Sequence, residues 1–197
     1  MEIKIDEKDR EIIDNFDSNL EIISKLCPSC VPVYRVRKGS GKDFVMKFTP
    51  VKENSNYFDG LLKEVDALKR LSSLSIVPSI VEDYGIKDGY LALGKNYVPG
   101  TFWLRSYNDN TKLVSKLKEG INLIHNFGVG LLEINARNLK VNLSKNKVSF
   151  IDLGNVSFVE NVGSDYFQII KRGDFEEFAE FINSQEKVFN YASEVNF

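Results

Sequence analysis

One histidine, His125, stands in a chain of 197 residues. That scarcity excludes a multi-histidine metal centre and leaves a Ser–His or Cys–His nucleophile only one imidazole to draw on. Cysteine is almost as rare: Cys27 and Cys30 are the only two, too few for a disulfide framework, and a cytoplasmic address is the expectation. No run of about 18 apolar residues occurs, so no membrane span is expected. Met1 to Arg10 alternates charged and apolar residues, unlike a signal or transit peptide. No stretch is rich enough in Pro, Gly or Ser to act as a disordered linker, and no repeat of about 20–50 residues is visible. A strong basic field is missing as well: the net charge is -2, which gives no support for a nucleic-acid partner.

What is present is an ordinary globular composition, 43% hydrophobic and 27% charged in 22.4 kDa. A chain of this size buries roughly 70% of its unfolded surface and needs no staples. Charge is uneven. Residues 155–197 carry a net of -5, leaving +3 for the remainder. A solvated acidic helix face is the simple reading, and a docking surface for a basic partner is the other.

Periodicity orders the elements. A helix is predicted over Asp6 to Phe16, then strands over Leu20 to Leu26, Val31 to Lys38 and Asp43 to Thr49. An amphipathic helix follows over Tyr57 to Leu71, with Leu61, Val65, Leu68 and Leu71 on one side. Ile76 to Tyr84 and Tyr90 to Tyr97 read as a hairpin turned by Asp88-Gly89. A long helix over Thr111 to Phe127 stops at Gly128, a short hairpin spans Leu139 to Ile151, and a last helix is predicted over Asp174 to Phe181. Strands dominate the first half and helices the second, which predicts an α+β chain of two lobes, 1–97 and 98–197, hinged near Val98 to Gly100.

Several residues could carry chemistry. Lys47 lies between Met46 and Phe48 on a strand and should point to the opposite face, either into solvent or toward a ligand. Glu64, on the next helix, is either exposed or the partner that holds the Lys47 ammonium toward phosphate oxygens. Asn138 and Asp152, at the two ends of the short hairpin, offer one neutral and one charged oxygen; magnesium favours such a sparse set completed by substrate phosphates. Asp152-Leu153-Gly154 also reads as a plain strand-end turn. The Cys27/Cys30 pair reads as small loop residues or as a redox pair, and His125 and Trp103 as packing residues.

At this point the chain resembles the protein-kinase-like superfamily over about Leu20 to Gly154. VYRVRKGSGKDFVMKF is similar to the second and third strands, with Lys47 as the phosphate-binding lysine. KEVDALKRL resembles the first-lobe helix with Glu64 as its partner, and YLALGKNYVPG the fifth strand and hinge, with Asn96, Tyr97 and Val98 facing the adenine. LIHNFGVGLLEINARNL resembles the catalytic loop and its preceding helix, and FIDLG the metal-binding segment. Departures are plain: Leu131 holds the histidine position, Glu133 that of the catalytic Asp, Asn135 that of the lysine two residues on, and the glycine-rich loop falls on LCPSCV.

The resemblance implies a two-lobed protein-kinase-like fold with a reduced C-terminal lobe, similar to RIO-type atypical kinases and the kinase subunit of the KEOPS complex. It implies ATP and Mg2+ as cofactors. Glu133 would be base or orienting group, Lys47 and Glu64 would serve the phosphates, and Asn138 and Asp152 the metal. Phosphoryl transfer to a protein Ser/Thr hydroxyl is the first function it implies, with a protein substrate or partner. A pseudokinase scaffold and a small-molecule kinase are the alternatives. Asp174 either braces the catalytic loop or caps a helix.

Overall fold

Alternating apolar residues and turn glycines build an antiparallel sheet in the computed structural model, which describes residues 5–27, 31–52 and 55–184. The first helix, α1 (Glu7–Phe16), starts where the Asp6 carboxylate accepts the Lys8 amide. The strands β1 (Leu20–Cys27), β2 (Val33–Lys38) and β3 (Phe44–Pro50) follow, then helix α2 (Asn56–Arg70), then β4 (Ile80–Lys87) and β5 (Tyr90–Asn96). The sheet order is β1-β2-β3-β5-β4, antiparallel throughout.

This sheet is apolar on both faces, so it buries two cores. Phe44, Met46 and Phe48 of β3 point with Tyr34, Val36 and Ala92 toward Ile12 and Ile13 of α1. The opposite face gives Leu91 and Leu93 to α2, whose Leu61, Val65 and Leu68 lie one to two turns apart on one stripe.

That second core continues into the rest of the chain. The sheet strand β6 (Thr101–Phe102) precedes a 3-10 turn over Arg105–Tyr107 and helix α3 (Thr111–Asn126). The Asn110 side chain caps α3 by accepting the Leu113 amide. Next come β7 (Val129–Gly130), β8 (Leu139–Asn142), β9 (Lys147–Phe150), β10 (Ser157–Phe158), and helices α4 (Val159–Val162) and α5 (Ser164–Asn183). The strand β6 pairs with the β8–β9 hairpin, and β10 with β7. Trp103 is buried, as its apolar neighbours suggested, and its indole N–H donates to Asn108. No helix among the described residues is long and apolar enough to cross a membrane.

Two elements differ from the sequence reading by more than two residues at a boundary. The strand expected over Ile76 to Tyr84 is Ile80–Lys87. Pro78 has no amide to offer a ladder and biases Val77 away from regular pairing. The Ile76 carbonyl instead receives the Phe150 amide at 2.8 Å, which joins this loop to β9. The last helix, expected to open at Asp174, opens ten residues earlier at Ser164. Gly173-Asp174 looks like a helix start, but Phe167, Ile170 and Asp174 form one buried stripe of a continuous helix. Cys30 and the neighbouring residues 28–30 of the glycine-free loop lie outside the described residues.

Candidate active site

Strand alternation turns Lys47 away from Met46 and Phe48 and toward α2. Its ammonium donates to Glu64 Oε2 at 2.8 Å and to Asp152 Oδ1 at 3.2 Å. Glu64 stands on the apolar stripe of α2, between Leu61 and Val65, and is wholly buried. A carboxylate there is tolerated only with partners, and it has two. Lys95 of β5, on the same sheet face as Leu91 and Leu93, donates to Glu64 Oε1 and also to the Ile151 carbonyl at 2.6 Å. The two lysines thus divide the two oxygens of one carboxylate.

The electrostatics follow from this arrangement. Burial works to raise the Glu64 carboxyl, but the two ammonium groups overcome it and pull it down to about 2. Burial alone would lower the Lys47 ammonium, yet Glu64 and Asp152 raise it above its ordinary value. Lys47 is therefore charged across the physiological range.

Asp152 follows β9. Its Oδ1 accepts the Gly154 amide at 3.2 Å as well as Lys47, while the side chain stays 46% exposed and so open to a ligand. The Asn138 carbonyl accepts the Ile151 amide at 2.9 Å, which fastens Asn138 beside the Asp152 segment. Gly60 of α2 comes close to the Gly154 carbonyl, where a Cβ would stand 3.3 Å away. A side chain at this position would need the Gly154 carbonyl to give by a few tenths of an ångström.

Glu133 sits in the loop between β7 and β8. Its φ of 45° and that of Leu131, 61°, are left-handed for non-glycine residues. Strain of this kind persists where surroundings impose it. Here they do: Asp174, 2% exposed, accepts the Leu131 amide at 3.0 Å, the Leu132 amide at 2.9 Å and His125 Nε2 at 2.7 Å. Asp174 thus braces the loop and is no helix cap. His125 is buried, as a packing residue should be.

Asn135 makes an Asx-type turn, its side-chain oxygen accepting the Arg137 and Asn138 amides while its amide group donates to the Glu133 carbonyl. The Glu133 carboxylate accepts from Asn155 Nδ2 at 2.6 Å. One turn after Asp174, Glu177 has its carboxyl raised by burial against this loop.

The structure therefore brings Lys47, Glu64 and Asp152 into direct contact and ties Asn138 to the same turn. Asn96 ends β5, its amide donating to the Ser79 carbonyl at 2.9 Å, and Tyr97 and Val98 lie in the segment leading to β6. The Tyr97 ring carries the Arg35 guanidinium 4.4 Å from its centroid. Sequence reasoning missed Lys95, Asn155 and Glu177. The first had a signal: Leu91, Leu93 and Lys95 share one strand face, so the lysine must enter the core that the leucines enter.

As to metal, no group of three or more His, Cys, Asp or Glu among the described residues could hold an ion. Asp152 and Asn138 supply two hard oxygen donors, which suits Mg2+ only if phosphates complete its shell.

The fold is a mixed α+β, kinase-like one with a small C-terminal helical lobe. It is similar to the solved structure of the Cydia pomonella granulovirus kinase PK-1, with a TM-score of 0.60 and 19% sequence identity over 78% of this chain. The chain spans 60% of that protein's length. No family model matches the sequence, and no curated protein matches it.

Proposed function

We propose that the protein is an ATP-dependent phosphotransferase that acts on a protein Ser/Thr hydroxyl. The observation that carries this reading is the three-way contact of Lys47 with Glu64 and Asp152. A purely structural sheet has no need of a largely enclosed cation joined to two carboxylates from a helix and a distant turn. Lys47 would hold the phosphates, and Asn138 and Asp152 would hold Mg2+. The segment from Asn96 to Val98 would take the base. Bound Mg2+ would neutralise charge on the phosphate oxygens.

In the transfer itself, the substrate hydroxyl oxygen forms a bond to the γ-phosphorus. The bond from that phosphorus to the β–γ bridging oxygen breaks, and ADP leaves. The hydroxyl proton passes to the Glu133 carboxylate, which the Asp174-held loop presents. Glu133 is one methylene longer than the residue it replaces, and a misplacement of about 1 Å can lower a rate on the order of 100-fold. Slow turnover is therefore expected.

A pseudokinase reading draws on a different observation, the hydrogen bond from Asn155 that occupies Glu133. Turnover of radiolabelled ATP, autophosphorylation included, separates the two. Wild type should exceed Asp152→Asn by at least about tenfold, since the metal-facing carboxylate acts on transition-state charge, and Glu133→Ala should also be slower. Equal rates for wild type and Asp152→Asn would leave the pseudokinase.

A further inference from the structure

The buried lysine Lys95 takes the Glu64 oxygen that the Lys47–Glu64 pair, at 2.8 Å, does not use. Its 7% exposed side chain reaches Glu64 Oε1 from the opposite side and bonds the Ile151 carbonyl, one residue before Asp152. Four charged groups thus lie in one connected cluster: Lys47 and Lys95 against Glu64 and Asp152. Their charges cancel. Were Lys47 the only cation, the cluster would carry one net negative charge. A nucleotide's phosphates, themselves anionic, would then need a divalent cation to approach.

We propose that Lys95 is a positioning and charge-balancing residue. It engages Glu64 and neutralises the cluster, so that the site binds a nucleoside diphosphate or triphosphate whether or not a divalent cation accompanies it. The cation is then required for transfer and not for binding. The proposal rests on the nucleotide reading above and deepens it.

Two physical points support it. With one Glu64 oxygen engaged by Lys95, Lys47 shares its carboxylate, and more of its charge is left to face Asp152 and an incoming phosphate. The Ile151 bond also fixes the backbone that carries Asp152, so the anionic side chain stays against Lys47 when no metal draws it away. A unit charge about 10 Å from another, at an effective dielectric near 20, changes affinity on the order of 15-fold.

The test is calorimetric titration with ADP, in excess Mg2+ and in EDTA, with folding checked by circular dichroism. Wild type should bind in both conditions with affinities within about threefold. In Lys95→Met, which keeps the volume and removes the charge, the EDTA affinity should fall on the order of 15-fold relative to Mg2+. Lys95→Arg should behave as wild type. The double variant Lys95→Met/Glu64→Gln restores a neutral cluster and should return the ratio to within about threefold, although the Lys95 tie is gone.

A merely structural Lys95 would weaken both conditions alike and would not be rescued by the second substitution. Should Lys95→Met fail to fold, Lys95→Gln, which also removes the charge but keeps an N–H donor for the Ile151 carbonyl, is read in its place and should show the same fall in EDTA. A wild-type ratio above about tenfold, or one that no variant moves, overturns this proposal and leaves nucleotide binding standing. Absence of ADP binding in both conditions overturns nucleotide binding and this proposal together.

Discussion

Asp174→Ala is expected to lower the melting temperature on the order of 10 °C. Three donors converge on this one buried carboxylate: the Leu131 and Leu132 amides and the His125 ring. Alanine leaves them unpaired in a site that water reaches poorly, and each buried orphan costs about 1–3 kcal/mol. A loss of about 3–5 kcal/mol is expected, and each kcal/mol moves the midpoint about 2–4 °C in a domain of this size. The effect has a local signature. Leu131 and Leu132 should lose hydrogen-exchange protection before the five-stranded sheet does, because the left-handed turn at Leu131 then has nothing to impose it. A drop below about 3 °C would show that the loop holds its shape without Asp174.

The second large effect is expected at Glu64. Glu64→Gln keeps the volume but removes the anion between two ammonium groups, that of Lys95 buried and that of Lys47 largely enclosed. Breaking a buried pair by removing one partner costs about 3–5 kcal/mol, since the charge left behind is uncompensated. Here two charges are left, although Asp152 still serves Lys47. Adding Lys95→Met should recover most of the loss in a double-mutant cycle followed by chemical denaturation.

Glu64 also sets an acid limit. Its folded carboxyl lies near 2, below the ordinary 4.5, so the stability it contributes is complete above about pH 4.5. That contribution is lost as pH falls from there toward 2. Denaturation midpoints measured across this window should fall in wild type by more than in Glu64→Gln, which has no proton to take up at that position.

Much of this was legible in the residues. Phe44, Met46 and Phe48 share a face, which forces Lys47 to the other; Glu64 read either as exposed or as the partner of Lys47, and its burial and 2.8 Å bond to Lys47 decide for the partner. Asp152 was legible because a hairpin returns the chain to where it left. Other features depended on partners remote in sequence. The inward face of Lys95 was legible from Leu91 and Leu93, but its partners were not: Glu64 and the Ile151 carbonyl lie 31 and 56 residues away in sequence.

The start of the last helix was misplaced at Asp174 for the opposite reason, a local signal that was too strong. Gly-Asp is a common helix opening, but the 20-residue helix runs through it because Phe167 and Ile170 are buried beneath. The strand near Pro78 was lost to a loop whose carbonyl bonds β9, and no local pattern reports such a bond.

The Lys95–Ile151 bond has a consequence for how the chain reaches its folded form. Lys47 and Asp152 are 105 residues apart, and Lys95 and Ile151 only 56. Closing the longer loop directly costs about 0.6 kcal/mol more chain entropy than closing the shorter. Because β3 pairs with β5, the Lys95–Ile151 contact also brings Asp152 near the strand that carries Lys47. The same lysine therefore offers the chain a contact between its two halves that is cheaper in loop entropy than the Lys47–Asp152 contact.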